Sequence, residues 1–432
     1  MMKKAVVTLL GMLSYSKPDY ISIDGEVKKI FADVAEKDRA SYSFSDNLSE
    51  FSNKLSQERY INTLSLLIDV FKDRDIIPIS TQKAKDIQEK TLKFLKVDSS
   101  SLDNTILIDE SNYERIFQQI SELLQDEKYE SFIVDLTHGF RHLPILMMVN
   151  LIIASIKDLD KIEHIFFAKE IENGKKYEII DLLEYIGLAK LSFVLENFNT
   201  NYTVGNKLIF KNEKYQELVD GLRIISGHIL ANSIKTLIEG NNSLIKKTIK
   251  NLEILQKEDN NIATFSSYIE KIILHLEQIE ALKNEKDFIK LFELSKMMKN
   301  REYLLNSITL LNESVSLYCA EKIRNMTPQI SEHIKNYLEG YRASDYELAH
   351  QSKNLVKLEN GFRGGYLYDD IIKIEILKVL REEDNEVLKE VIKEVENLRN
   401  NLAHGNSSHK IENVKGKITL LLKEFQKIVY KQ

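Results

Sequence analysis

Short apolar runs alternate with amphipathic stretches over the first 185 residues. Residues 5–10 (AVVTLL) form a nearly unbroken apolar run that stops at Gly11, the pattern of a strand covered on both faces. Residues 60–71 carry helical spacing. Residues 75–80 predict a second strand, followed by Thr81, Gln82 and Lys83 and a helix to about residue 95. Residues 105–108 predict a third strand with a helix over 113–124. Residues 131–134 predict a fourth, with an apolar helix from Leu143, and residues 164–168 a fifth. Strands alternating with helices predict a parallel-rich α/β sheet, and such sheets bind ligands beyond the carboxyl ends of their strands, at the switch point.

The strand signal fades near residue 182. Residues 186–300 read as long amphipathic helices with polar breaks at 199–206, 239–243 and 258–261, and a further helical block runs from about residue 301 to the end. The loop 359–365 (ENGFRGG) is the clearest interruption of that block, and no fixed-period repeat and no Pro-, Gly- or Ser-rich linker occurs. The expected organisation is an α/β domain over 1–185, an all-α connector over 186–295 and an all-α domain over 296–432.

Composition narrows the function classes. With 60 Lys and Arg against 66 Asp and Glu the net charge is -6, which excludes a wholly basic surface but leaves room for a local basic cleft. The single cysteine, Cys319, excludes an internal disulfide and a Cys-rich zinc site. No His, Cys or carboxylate cluster has metal-ligand spacing, so no metal is expected. Only 4 Pro and 15 Gly in 432 residues favour helix. The longest apolar stretch, 143–156, is too short to span a bilayer. The early apolar run lacks a small-residue cleavage site. The chain is expected to be soluble, cytoplasmic and off the membrane.

The richest chemistry follows the fourth strand: Asp135-Leu-Thr137-His138-Gly139-Phe-Arg141-His142-Leu-Pro144. A buried strand delivers Asp135 to the sheet edge, and a tight turn through Thr137, His138 and Gly139 leads into a helix whose first turn tolerates Pro144. Backbone N–H groups, a hydroxyl, an imidazole and the Arg141 guanidinium converge there, a combination suited to a phosphate-bearing ligand. The plain alternative is a strand-to-helix connection with Asp135 as a cap. After the first strand come Gly11, Met12, Leu13, Ser14 and Tyr15. Gly11 allows close backbone approach, Ser14 can donate to phosphate and Tyr15 can stack on a base. Thr81 and Lys83 after the second strand add a weaker contribution. No G-x-G-x-x-G occurs there, which disfavours a nicotinamide oxidoreductase.

Near the C-terminus, Arg399, Asn400 and His404 have the spacing R-x-x-x-x-H. A histidine can act as general acid or base at a 2′-hydroxyl or leaving oxygen, an arginine can stabilise the phosphorane charge, and Asn400 can orient either. The spacing recurs at Arg223 and His228 amid apolar residues, read as coincidence. At the C-terminal copy, Val387, Leu388, Val391, Ile392, Val395, Leu398 and Leu402 form a helical stripe beside Arg399. Five helical steps put Arg399 and His404 roughly 140° apart. A helix ending at 404, before Gly405-Asn406-Ser407-Ser408, could fray and turn His404 back. The alternative is an ordinary basic helix C-terminus. The acidic run 382–384 is expected to precede a helix as a partner for its dipole.

The Asp135-x-Thr137-His138-Gly139 stretch with Arg141 and Pro144 resembles the D-x-T-H-G signature of the CRISPR-associated Rossmann-fold (CARF) sensors, and Gly11–Tyr15 resembles that family's G-T-G-x-Y element with Met12 and Leu13 in place of Thr and Gly. Residues 164–170 and 177–183 resemble the sensor's closing strands. Arg399 to His404 resembles the motif of HEPN ribonucleases. Sensor then nuclease is the order of the stand-alone ribonucleases of type III CRISPR systems. The resemblance implies a Rossmann-like sensor, a helical connector and a HEPN domain opening with a helix over 303–323, with Glu313 and Tyr318 as lesser polar candidates. It implies cyclic oligoadenylate as activator, tetra-adenylate preferred over hexa-adenylate. Gly11, Ser14, Tyr15, Thr81, Asp135, Thr137, His138, Gly139 and Arg141 would bind it. Arg399, Asn400 and His404 of a homodimer would cleave single-stranded RNA without metal or cofactor and without a stable complex with the CRISPR effector. The rival expectations are a ligand-gated regulator without nuclease activity and a sensor that degrades its own activator.

Overall fold

A computed structural model describes residues 2–11, 19–23, 26–30, 39–94, 96–139, 142–156, 161–206, 208–233, 235–238, 243–258, 262–341, 345–357, 370–382, 385–405 and 410–430. Ser14, Tyr15 and Arg141, the loop 359–365 and residues 383–384 lie outside them. The chain divides into two compact units, residues 1–194 with 205–216, and residues 195–204 with 217–432.

The first unit is built on a seven-stranded sheet. Its strands are β1 (Lys3–Leu9), β4 (Ser41–Phe44), β5 (Asp75–Ser80), β6 (Ile106–Leu107), β7 (Tyr129–Asp135), β8 (Ile162–Glu172) and β9 (Lys176–Asp181), in the order β4-β9-β8-β7-β1-β5-β6. The pairs β8–β7, β7–β1, β1–β5 and β5–β6 are parallel, β8–β9 is antiparallel, and β4 runs parallel to β9. A separate hairpin pairs β2 (Asp19–Ile23) with β3 (Glu26–Ile30). The helices of this unit include α1 (Thr63–Val70), α2 (Gln82–Phe94), α3 (Tyr113–Gln125) and α4 (His142–Ile156).

β1 explains why its run reads as continuous. Ala5, Val7 and Leu9 join the core under α3 and α4, whereas Val6 and Leu10 join the core with Leu64, Leu67 and Phe71 on the opposite face. Both faces are buried, so no polar alternation survives. β5 flanks β1 on one side and β7 on the other. The mouth between the ends of β1 and β7 is therefore the topological switch point of the sheet.

The predicted strands all form, with ends shifted by a few residues. The edge strand β4 and the β2–β3 hairpin carry no apolar run long enough to have been expected. The sequence of α4 is apolar almost all round, yet Ile145 is 64% exposed, with Val149 and Ile153 exposed on the same stripe.

The second unit is helical among its described residues. α5 (Leu183–Asn201) and α6 (Glu213–Leu230) each belong partly to either unit. They are followed by α7 (Leu244–Glu258), α8 (Ser266–Ala281), α9 (Asp287–Asn300), α10 (Leu304–Arg324), α11 (Pro328–Tyr341), α12 (Asp345–Lys357), α13 (Asp370–Glu382), α14 (Glu386–Ala403) and α15 (Ile411–Tyr430). A break at 282–286, between α8 and α9, was not expected from the hydropathy pattern. α10 matches the expected opening helix within a residue at each end. It is the axis of a core that gathers Ile308, Leu311 and Val315 with Leu355 of α12, Val395 of α14 and Phe425 of α15. Ser295 and Ser307 exchange hydroxyl-to-carbonyl hydrogen bonds of 2.7 and 2.9 Å, pinning α9 to α10. Arg301 and Tyr303 donate to the carbonyls of Asn199 and Asn201, satisfying the C-terminus of α5. Glu382 ends α13, and α14 begins at Glu386, so the acidic run does precede a helix, as expected. Val387 is exposed, so the α14 stripe begins at Leu388.

Candidate functional sites

At the switch point, Asp135 closes β7 and is almost fully buried. Its Oδ2 accepts from the hydroxyls of Thr8 (2.8 Å) and Thr63 (2.7 Å), and its Oδ1 from the amide (3.1 Å) and hydroxyl (2.6 Å) of Thr137. The Thr137 hydroxyl in turn accepts from Ala168 N at 2.9 Å. The carboxylate therefore ties β1, the first turn of α1, its own turn and, through Thr137, β8 into one rigid corner. Both side chains are committed to that corner.

His138 follows, half-buried, with Nε2 enclosed and without a hydrogen-bond partner. Burial pushes its imidazole below the usual histidine value, against the opposing pull of the Asp135 charge. Gly139 has φ +106°, and a Cβ there would lie 3.2 Å from Leu9 Cβ. A Cβ on Gly11 would lie 3.1 Å from Gly139 N, so the backbones after β1 and β7 approach closely at the mouth, and the positive φ of Gly139 favours glycine there. Gly11 O accepts from Gln88 Nε2 at 3.4 Å, and Gln88 Oε1 accepts from Asn62 Nδ2, the residue that caps α1. Thr81 accepts from Ala84 N at 3.3 Å and starts α2 at the same edge of the sheet. His142 packs edge-on against Tyr113. Thr8, Thr63 and Gln88 were missed from the sequence. A lone threonine within the apolar run of β1 is the one hint that was there.

In the second unit, α14 presents Arg399, Asn400 and His404 at its end. Asn400 O accepts from His404 N at 3.0 Å, and Gly405 at φ +67° stops the helix, as expected. Helical bonding thus continues through His404, so the fray that would turn its imidazole back does not occur. No side-chain hydrogen bond joins the His404 imidazole to Arg399 or Asn400. Arg399 Nη1 donates to Asn400 Oδ1 at 3.1 Å, while its Nε is enclosed without a partner. One turn earlier, Glu396 binds Lys353 at 2.9 Å and Lys357, and Lys353 also donates to the buried Asn312 at 3.1 Å. Burial alone would raise the Glu396 carboxyl, but hydrogen bonds from Lys357 and Lys353 and their charges hold it below the usual glutamate value. This network locks α14 to α10 and α12 and fixes where Arg399 emerges. It too was not legible in the sequence. The second R-x-x-x-x-H match lies inside α6, where Arg223 pairs with Asp220. Cys319 is enclosed in the core and burial pushes its thiol up to about 12, which removes it as a nucleophile.

Among the described residues no group of three or more His, Cys, Asp or Glu could hold a metal ion, and no helix is long and apolar enough to cross a membrane. No family model matches the chain, and no curated protein matches it. Among solved structures it is similar to Enterococcus italicus Csm6 bound to cyclic hexa-2′-fluoro-hexa-dAMP, at 12% identity and a TM-score of 0.35, over 98% of this chain and 93% of that one.

Proposed function

We propose that the chain is a CARF–HEPN endoribonuclease of type III CRISPR antiviral defence, cleaving single-stranded RNA without a metal when a cyclic oligoadenylate occupies the switch point of its sheet. The observation that carries the reading is the Arg399 guanidinium, whose enclosed Nε lacks an acceptor, on the same helix end as the exposed His404. A cationic donor and an imidazole are what a scissile phosphate needs: charge stabilisation from one group and proton transfer from the other. Asn400 holds the guanidinium. At the switch point, His138 and the close-packed Gly11 and Gly139 backbones receive the activator, with Asp135 and Thr137 setting the turn.

The reading requires a second copy. Arg399 and His404 leave α14 on different sides, so a phosphate touching both kinds of group takes one from each chain. A cyclic ligand with internal symmetry suits a two-fold assembly. Ile145, Val149 and Ile153, on the helix that follows the sensor turn, form an exposed apolar stripe that a second copy would cover. Size-exclusion chromatography with light scattering should give a dimer.

Two outcomes test the chemistry. Cleavage of a quenched fluorescent RNA should persist in excess EDTA, because side chains alone perform it. Complete loss in chelator, restored by a divalent ion, would contradict the mechanism. His138→Ala should raise the activator concentration for half-maximal cleavage while changing the saturated rate less, because a ligand biases a two-state enzyme only through its differential affinity. An unchanged midpoint together with unchanged activator binding would remove this turn from the sensor site. The free Nε2 of His138 also favours a second reading, in which it acts as a base on the bound ring; chromatography of the activator after incubation detects the opened product.

A further inference from the structure

The chain passes between its two units after Val194, inside α5, after Val204, and after Gln216, inside α6. α5 and α6 therefore each begin in the first unit and end in the second. A helix is a rigid element, so a shift imposed at one end is carried to the other.

Both helices stop at one place. The last carbonyls of a helix have no partner within it. In the last turn of α5, Asn199 O accepts from the Arg301 guanidinium at 3.3 Å and Asn201 O from the Tyr303 hydroxyl. At the end of α6, Leu230 O accepts from Asn306 Nδ2 at 2.8 Å, and the same amide donates to Asn232 Oδ1 at 3.1 Å. Arg301, Tyr303 and Asn306 lie in the single stretch 301–306, in which α10 begins.

The joint is held in an unusual backbone form. Tyr202, just past α5, and Glu302 take left-handed conformations, with φ +54° and +66°. A side chain other than glycine stays in that region only where its surroundings fix it. At Tyr202 they do. The Arg301 guanidinium lies 4.0 Å from the centre of the buried Tyr202 ring, and the Tyr202 hydroxyl donates to His275 Nε2 of α8. Burial and the Arg301 charge push the His275 imidazole down to about 4, which keeps that nitrogen an acceptor. From the joint, α10 leads to Asn312, which accepts from Lys353, and Lys353 and Lys357 hold Glu396 one turn before Arg399.

We propose that the stretch 301–306 is the joint through which occupancy of the first unit reaches the helical core that carries Arg399, with Arg301, Tyr303 and Asn306 as positioning residues that act through α10 and are not ligands of the activator. The inference rests on the CARF–HEPN reading and names the place of its regulation. A shift of α5 or α6 either carries the start of α10 with it or strands the carbonyls and donors that meet there. Packed joints of this kind change between discrete arrangements rather than deforming continuously.

Hydrogen–deuterium exchange of the full-length protein, with and without cyclic tetra-adenylate or cyclic hexa-adenylate, tests this together with RNA cleavage at saturating activator. Arg301→Met removes the guanidinium and keeps the length. Tyr303→Phe removes one hydroxyl and guards against a misfolded first variant. Ser295→Ala breaks a buried contact between α9 and α10 without touching α5 or α6, and is the control for a merely structural effect. In the wild type the activator should change exchange at the sensor turn and also in α10 and α14. Arg301→Met should still bind the activator and keep the change at the sensor turn. It should lose the change in α10 and α14, and stimulated cleavage should fall by about 10-fold, within the range of allosteric couplings. Tyr303→Phe should lower stimulated cleavage by about 3-fold, as for one neutral hydrogen bond. Ser295→Ala should stay within about 2-fold of the wild type and keep the exchange response. A retained response in α14 with full cleavage in the 301 and 303 variants, an equal loss in Ser295→Ala, or a wild-type response confined to the first unit would overturn the proposal and leave the CARF–HEPN reading standing. A wild type that binds neither ring would overturn both.

Discussion

Replacing His404 or Arg399 with alanine is expected to lower activator-stimulated RNA cleavage by about 10²–10⁴-fold, the usual consequence of losing a proton-transfer group or a positioned charge. Activator binding should be unchanged, because these residues belong to the second unit and the sensor turn to the first. Folding should also be little affected. His404 and Asn400 are exposed, and Arg399 makes one side-chain hydrogen bond, to Asn400. The discriminating controls are Arg223→Ala and His228→Ala, which repeat the spacing inside α6. Arg223 already serves Asp220, so both variants should keep most of their activity. Steady-state cleavage of a fluorescent RNA at saturating activator measures all four. If the 223/228 pair is essential and the 399/404 pair dispensable, the wrong helix has been chosen.

Asp135→Ala should act on stability rather than on ligand contact alone. The carboxylate satisfies three threonine hydroxyls and one amide in a buried corner. Stranding a buried donor costs about 1–3 kcal/mol. With part of the set relaxing onto other acceptors, the loss should total about 3–5 kcal/mol, at the upper end of single-site effects. Urea denaturation followed by circular dichroism reports it as an earlier transition of the first unit, and a chain of two units is expected to unfold in more than one step. A loss below about 1 kcal/mol would mean that the corner does not depend on the carboxylate. The contrast with His138→Ala, which removes a side chain whose Nε2 has no hydrogen-bond partner in the protein, separates shaping from binding at this turn.

What could be read in advance follows from where each signal is stored. Strands β1, β5 and β7 are buried on both faces, so their apolar runs stand out against any background. The end of α14 was legible because Gly405 takes a left-handed conformation that glycine supplies at least cost. β4 has four residues, SYSF, whose polar half could equally be a turn. The Asp135 corner depends on Thr8, 127 residues away, and Thr63, 72 residues away, and no local pattern marks a threonine as half of such a pair. Glu396 and Lys353 read as ordinary polar positions of amphipathic helices until the fold brings α12 against α14. The direction of His404 could not be decided from spacing either. It depended on whether one more helical hydrogen bond forms, and the bond from His404 N to Asn400 O is made.

The central claim is that a cyclic oligoadenylate bound to the first unit switches on RNA cleavage by the second. The direct measurement is cleavage of a quenched fluorescent RNA by the full-length protein in EDTA, with cyclic tri-, tetra- and hexa-adenylate supplied in turn and binding of each followed in parallel. The account predicts cleavage with one ring size, the tetra-adenylate first, abolished by His404→Ala without loss of binding. Absence of both binding and cleavage with every ring, or cleavage equally fast without any activator, would contradict it.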